Sequence, residues 1–523
     1  MKKLFMILSL ILLMTLSCFA AINPVLRYSN AGTFPLWTEE AYYCSPVTED
    51  LDGDGKNEII FSNYTITVLN EADGSIKFKV NSGYDTTSPL EEFGKSVGNT
   101  WCDAVVCDID GNGKKEIITI HSNGLISVLD SNGRFAKGWP QKPISSPGKC
   151  VKADDLDGDG KLEIIAGYGV YGGKSVYVFN YDGTVREGWP QLSDENSAKA
   201  YSYGIFMNGI STGDLDGDGK KEIIVPNDTS YVDVYRHDGS LYPANSEIFG
   251  NRVWGKVALY EEYGSEIRGD NGGWGFKIEG GENRENLYKA EFGHGVSVVR
   301  DIDGNGTKEV IVTGIMCNRK YAPTYPPTEY MTVSVFNADR TRYVNPSAGG
   351  DWRNIPTDLG APLLQNTKSI ASQIQQTPVV EDLDGDGKCE ILFNSYNGKV
   401  HCFDLDATEP YAWPYSLTKR TSPLFEYASP VVCHDLDGDG KKEVIFASWY
   451  DENQKLDKIM QGSLYILSYE GKLISKVTLP PAKEKDNLNN GVLAMPLVED
   501  IDGDGKFEIV LNTTNGAVCV YDL

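Results

Sequence analysis

The chain is short of basic side chains, short of histidine, and has no long apolar stretch beyond its first residues. Each shortage narrows what it can be. Lys and Arg number 48 against 74 Asp and Glu, with 5 His and a formal charge of −26. A surface that follows a phosphate backbone needs clustered Lys and Arg, so nucleic acid is a poor partner on charge grounds. The patterns H-E-x-x-H and G-x-x-x-x-G-K-[ST] are missing, and His121, His237, His294, His401 and His434 are scattered, so no metalloprotease or nucleotide site stands out. No Cys-x-x-Cys or Cys/His pair has zinc-site spacing. The cysteines beyond residue 21 are odd in number, widely spaced and set in apolar runs such as Val518-Cys519-Val520, which reads as small buried hydrophobes rather than a disulfide framework.

What is present begins with a leader. Lys2 and Lys3 precede an apolar run from Leu4 to Leu16, followed by Ser17-Cys18-Phe19-Ala20-Ala21. That run is too short to span a bilayer and has the length of a signal-peptide core, so residues 1–21 are expected to be a signal peptide. The mature chain is expected to be secreted, extracellular or at the cell surface. Lipidation of Cys18 is the alternative, for which Thr15-Leu16-Ser17 is a poor lead-in.

The rest is organised by one repeated string, D-x-D-G-[DN]-G-x-x-E, which starts at Asp50, Asp108, Asp155, Asp214, Asp301, Asp382, Asp435 and Asp500. A β-like run enters each copy (Thr377-Pro378-Val379-Val380) and another leaves it (Glu508-Ile509-Val510-Leu511). A third run ends in a turn, as Val176-Tyr177-Val178-Phe179 does before Asp182-Gly183. A weaker fourth often closes on Trp-Pro, at Trp139-Pro140, Trp189-Pro190 and Trp413-Pro414. Four short strands per unit without helical periodicity describe an antiparallel sheet, and one such sheet cannot bury both faces alone. Stacked radially, the sheets make an all-β propeller with eight blades favoured and seven as the runner-up. The last repeat stops at Leu523 after its third strand. Val25-Leu26-Arg27-Tyr28 and Thr33-Phe34-Pro35-Leu36-Trp37, ahead of the first loop, are expected to supply the missing outer strand and close the ring. Residues 22–523 then form a single propeller domain with insertions at about 240–292, 318–330 and 449–461.

Position 1, 3, 5 and 9 oxygens converge in each loop, the glycines at 4 and 6 allow the sharp bend, and position 7 offers its backbone carbonyl. The candidate ligands are Asp50, Asp52, Asp54, Lys56 and Glu58 in the first loop; Asp108, Asp110, Asn112, Lys114 and Glu116 in the second; Asp155, Asp157, Asp159, Lys161 and Glu163 in the third; and Asp214, Asp216, Asp218, Lys220 and Glu222 in the fourth. Asp301, Asp303, Asn305, Thr307 and Glu309 follow, then Asp382, Asp384, Asp386, Lys388 and Glu390, then Asp435, Asp437, Asp439, Lys441 and Glu443, and last Asp500, Asp502, Asp504, Lys506 and Glu508. Hard oxygens at this density suit Ca²⁺, up to eight ions, better than the stricter octahedron of Mg²⁺. An EF-hand needs Glu at position 12, where this chain has residues such as Phe61, Ala166 and Leu511 entering a strand. Turns alone do not need acids in this alternation with a Glu four residues on.

These loops and their β flanks resemble the FG-GAP/VCBS repeat family, the calcium-bearing blades also found in integrin α-subunit propellers. The resemblance implies calcium at each of the eight loops. The FG and GAP signatures themselves are thin, with Phe292-Gly293 ahead of the fifth loop. Rhamnogalacturonan lyases of the eight-bladed type use similar loops.

With the first strand innermost, the acidic loops lie on one face of the disc and the long insertions mostly on the other, where a partner is expected to bind. Aromatics among polar residues in those insertions suit a glycan or a protein, and Trp254, Trp274, Tyr321 and Tyr325 are the candidate ligand-binding residues. The expected function is an extracellular binding or adhesion module. The alternatives are a rhamnogalacturonan-type polysaccharide lyase and a structural cell-surface spacer, and no catalytic residue is assigned.

Overall fold

The computed structural model describes residues 22–30, 44–62, 65–81, 100, 102–170, 173–192, 205, 209–227, 229–269, 288–292, 295–317, 329–347, 350–354, 377–418, 425–450, 460–481, 489–514 and 516–523. The proposed signal peptide lies outside them. No helix among the described residues is long and apolar enough to cross a membrane.

Each acidic loop joins the first and second strands of one antiparallel blade. Blade 1 is Val47–Glu49, Glu58–Ser62, Thr65–Leu69 and Ile76–Asn81, hydrogen-bonded in that order. Blade 3 repeats it with Gly148–Asp154, Glu163–Tyr168, Lys174–Phe179 and Gln191–Leu192, and blade 6 with Val379–Glu381, Glu390–Ser395, Lys399–Phe403 and Tyr415–Ser416. Blade 7 is built on Val432–His434, Glu443–Tyr450, Ser463–Leu467 and Leu473–Thr478. Blades 2 and 4 keep three strands, blade 5 adds Lys289–Glu291 against its second strand, and in all three the outer edge is reduced to isolated bridges such as Leu129↔Phe135, Tyr235↔Leu241 and Phe336↔Arg342. The second strands, Glu-Ile-Ile-type runs, are buried at every position in blades 1, 2, 3, 4, 6 and 8, because a neighbouring blade covers each face.

The architecture is an eight-bladed β-propeller. The N-terminal strand Val25–Asn30 pairs antiparallel with Val518–Asp522 and completes blade 8 as its fourth strand, matching the expectation from the truncated last repeat. Thr33 to Trp37 lie outside the described residues.

First strands of successive blades pack side by side, which puts them at the axis. Two further ties run from blade to blade. At the axis, the backbone N–H at loop position 8 donates to the carbonyl at position 2 of the preceding loop. The pairs are Leu162 to Ile109 (3.0 Å), Lys221 to Leu156 (2.9 Å), Cys389 to Ile302 (2.9 Å), Lys442 to Leu383 (2.9 Å) and, across the closure, Asn57 to Ile501 (3.3 Å).

At the rim, an indole N–H from one blade donates to a backbone carbonyl beside the strand 3–4 turn of the next. Trp139 reaches Tyr181 (2.9 Å), Trp189 reaches His237 (3.2 Å), Trp254 reaches Ala338 (3.0 Å), Trp352 reaches Leu405 (2.9 Å) and Trp413 reaches Tyr469 (2.9 Å). The Tyr28 hydroxyl makes the corresponding bond to the Glu71 carbonyl (3.1 Å) and ties blade 8 to blade 1. Each bond satisfies a polar group on a large apolar ring seated between sheets.

The insertion after blade 4 departs from the all-β expectation. It contains two short helices, Ser246–Phe249 and Tyr263–Arg268. Asn245 caps the first through its side chain, which accepts from the Glu247 and Ile248 N–H groups. Nor is its described part confined to the far face. Asn245 bonds Asp339 beside the blade 5 turn, which antiparallel pairing of Glu309 with Asn337 puts at the acidic-loop end. Glu266 of the second helix is fully buried and paired with the buried Arg340 (3.3 Å) and Arg342, locking the insertion onto blade 5. A buried pair of this kind resists removal of either partner.

Cys44, Cys102, Cys107, Cys150, Cys389, Cys402, Cys433 and Cys519 are free and buried or half-buried.

Candidate metal centre

The loops are built alike from the backbone outward. Glycines at positions 4 and 6 have φ between +71° and +88°, a region that side chains disfavour. That bend turns successive N–H groups onto the position 1 carboxylate. In all eight loops it accepts the N–H of position 6, at 2.6 to 3.1 Å, as Gly55 gives to Asp50 and Gly219 to Asp214. The position 5 side chain accepts the N–H of position 7 at 2.7 to 3.0 Å in every loop, with Asn112 and Asn305 acting as the aspartates do.

Position 9 belongs to the second strand and points back. One oxygen of Glu58, Glu116, Glu163, Glu222, Glu309, Glu390, Glu443 and Glu508 accepts the N–H of position 2 at 2.8 to 3.2 Å. In blades 1, 3 and 8 the other oxygen takes Lys77, Arg186 and Arg27 in turn. In blades 1, 3, 5 and 6, ligand atoms of positions 1, 3 and 9 lie within 4.8 Å of one another, and in blade 4 those of Asp214, Asp216 and Asp218 do.

Such crowding disfavours charge. Burial first, and then the loop's own aspartates, push the carboxyls of Glu222, Glu309, Glu390 and Glu443 up to about 7. Blade 6 is the extreme. Asp404, Asp406 and Tyr411 join Asp384, Asp386, Lys388 and Glu390 around one cavity, and burial followed by its acidic neighbours pushes Asp404 up to about 6. Oxygen-only donors, pre-aimed by backbone bonds, fit a calcium ion with its irregular six to eight ligands.

The candidate ligands at positions 1, 3, 5 and 9 are therefore gathered loop by loop. Among the position 7 side chains, Thr307 donates to Asn305 within its own loop and Lys388 pairs with Asp386 (3.6 Å), while three others reach outward. Lys56 pairs with Glu71 (2.9 Å), Lys161 donates to the Tyr181 hydroxyl (3.0 Å) and Lys441 to the Tyr469 hydroxyl (2.8 Å). Those three partners are the residues whose carbonyls receive the rim bonds, so loop and latch meet.

Trp254 does not offer its ring to a ligand. It is 0% exposed, edge-on to Phe336 with ring centroids 5.7 Å apart and beside the Arg340 guanidinium. Trp274, Tyr321 and Tyr325 lie outside the described residues. Sequence reasoning missed three basic residues at the loops: Lys77, Arg186 and Arg27. A signal existed for two, since Lys77 and Arg186 each stand three residues after the glycine of a strand 3–4 turn, at Gly74 and Gly183.

Residues 155–225 match the family described as FG-GAP-like repeat, one period from the blade 3 loop to the second strand of blade 4. No curated protein matches the chain. Among solved structures, the V. cholerae biofilm matrix protein Bap1 aligns with a TM-score of 0.50 at 13% identity over 95% of this chain and 90% of its own. Saccharomyces cerevisiae Sqt1 aligns with a TM-score of 0.50 at 8% identity over 96% and 99%. The exotype rhamnogalacturonan lyase YesX reaches 0.48 at 16% identity over 91% and 71%. At these identities the likeness concerns fold alone. The chain is an eight-bladed β-propeller with an FG-GAP-like repeat at residues 155–225 and that repeat's acidic loop recurring around the ring.

Proposed function

We propose that the chain is a secreted, calcium-stabilised propeller acting outside the cell as a binding or adhesion module for a glycan or a protein. The observation that carries this reading is the shared hydrogen-bonded cradle of all eight loops, in each of which the position 9 glutamate accepts the position 2 N–H. Bound calcium would supply positive charge and fix the start of each second strand, with positions 1, 3, 5 and 9 and the position 7 carbonyl as ligands.

The strand ends Cys317 and Tyr450, from which segments 318–328 and 451–459 leave, lie at the end of the disc away from the loops. A partner is proposed to bind there, on long connections held by a rigid scaffold. The fold serves a biofilm matrix protein in V. cholerae, a setting of the kind proposed.

Calcium-loaded protein applied to arrayed glycans and pectic polysaccharides tests the reading. Retention without new product supports it. Formation of unsaturated uronide would replace it with a lyase, and neither retention nor product would leave the structural spacer.

A further inference from the structure

The eight loops are not equivalent. In blades 1, 3 and 8 a basic side chain from the outer edge of the same blade (the fourth strand for Lys77 and Arg27, the connection leading to it for Arg186) joins the carboxylates at positions 3 and 9. Lys77 pairs with Asp52 (2.6 Å) and Glu58, and Arg186 pairs with Asp157 (2.6 Å) and Glu163 (2.7 Å). Arg27 pairs with Asp502 (2.9 Å), Glu508 (3.0 Å) and also Asp522 (2.5 Å). The three glutamate side chains are 2 to 4% exposed, so water does little to screen these contacts.

The corresponding place in the other blades carries no charge. Ala136, Tyr242 and Tyr343 donate their backbone N–H to the third strand as Arg186 does, and Ile474 stands three residues past its turn glycine as Lys77 does. In blade 6, Tyr411 reaches Asp384 through its hydroxyl (3.4 Å). Among the described residues, no Lys or Arg pairs with position 3 or position 9 in blades 2, 4, 5, 6 and 7.

We propose that the loops of blades 1, 3 and 8 are closed by the chain's own cations, and that the protein takes up five divalent ions, in blades 2, 4, 5, 6 and 7. The proposal rests on the calcium reading of the loops. An ammonium or guanidinium lodged between positions 3 and 9 occupies the oxygens a calcium ion needs and repels a second positive charge. The split has a place in the architecture. Blades 8 and 1 flank the ring closure, and Arg27 stands on the closing strand itself, so the seam is neutralised without metal.

Equilibrium dialysis of the full chain against millimolar calcium, with metal per chain measured by plasma mass spectrometry, tests this. Five ions per chain are expected. Eight would overturn the split and leave the calcium reading standing, whereas none would overturn the calcium reading itself. Lys77→Met and Arg186→Met, in protein whose circular dichroism matches the wild type, are expected to raise the count by one each. A double variant that still binds five would show that these side chains do not exclude the ion.

Discussion

At the scale of single residues, the position 9 glutamate couples the loop to its second strand and makes the metal-free fold sensitive to pH. Glu222, Glu309, Glu390 and Glu443 are held near 7 in the fold by burial and by the neighbouring aspartates. An acid with a higher pKa folded than unfolded binds more protons when folded, so folding gains stability as pH falls through the folded value toward an unfolded value of about 4.3. Chelated protein is expected to melt at a higher temperature at about pH 5.5 than at about pH 7.5. Calcium-loaded protein is expected to show the reverse, because protons compete with the ion for the same oxygens. Scanning calorimetry at both pH values, with and without calcium, checks the opposite slopes.

The rim tryptophans give a second prediction at this scale. Trp189→Phe keeps most of the ring but orphans the His237 carbonyl, for a loss of about 1 kcal/mol, whereas Trp189→Ala also opens a cavity and is expected to lose about 3–5 kcal/mol in urea unfolding. Trp254→Phe is expected to behave as Trp189→Phe does and to leave any glycan or protein retention unchanged, since its ring is inside.

At the scale of elements, the strands were legible because each loop pins their ends and their apolar runs stand at fixed offsets from it. Even the closure was legible, from a repeat that stops one strand early. The helical turns after blade 4 were not. Ser246–Phe249 and Tyr263–Arg268 are one or two turns long, too short to show a 3.6-residue period. Trp254 was misread for a related reason. In blades 2, 3 and 6 the latch is announced by Trp-Pro, but here Gly255 follows, and in blade 5 Arg353 follows Trp352, so only the bond to the next blade reveals the shared role. The basic residues at the loops were overlooked because they come from the outer edge of the blade, well away in sequence from the loop they enter, and for Arg27 from the opposite end of the chain. Deleting residues 22–30 removes the fourth strand of blade 8, leaving Val518–Asp522 as an open edge and Asp502 and Glu508 without Arg27. The truncated chain is expected to melt lower and to self-associate through that edge, which light scattering after size exclusion would detect. A monomer as stable as the full chain would mean the strand is dispensable.

At the scale of the whole molecule, the propeller is a ring of sheets held at two radii, by loop-to-loop backbone bonds at the axis and by aromatic latches at the rim. The acidic loops stand where the axial bonds are made. Position 2 of each loop takes its own glutamate on its N–H, and in five steps gives its carbonyl to the following blade. Ordering one loop therefore orders the contact to the next, which explains why a repeat array closed into a ring would gain from cations at many loops at once. Each filled site contributes about 2.7 kcal/mol when free calcium is a hundredfold above its dissociation constant. The most direct test is thermal unfolding at neutral pH, followed by circular dichroism, after exhaustive chelation and again across a calcium titration. The melting temperature is expected to fall on chelation and to climb steadily as calcium is restored, while a transition that stays in place throughout would contradict the account.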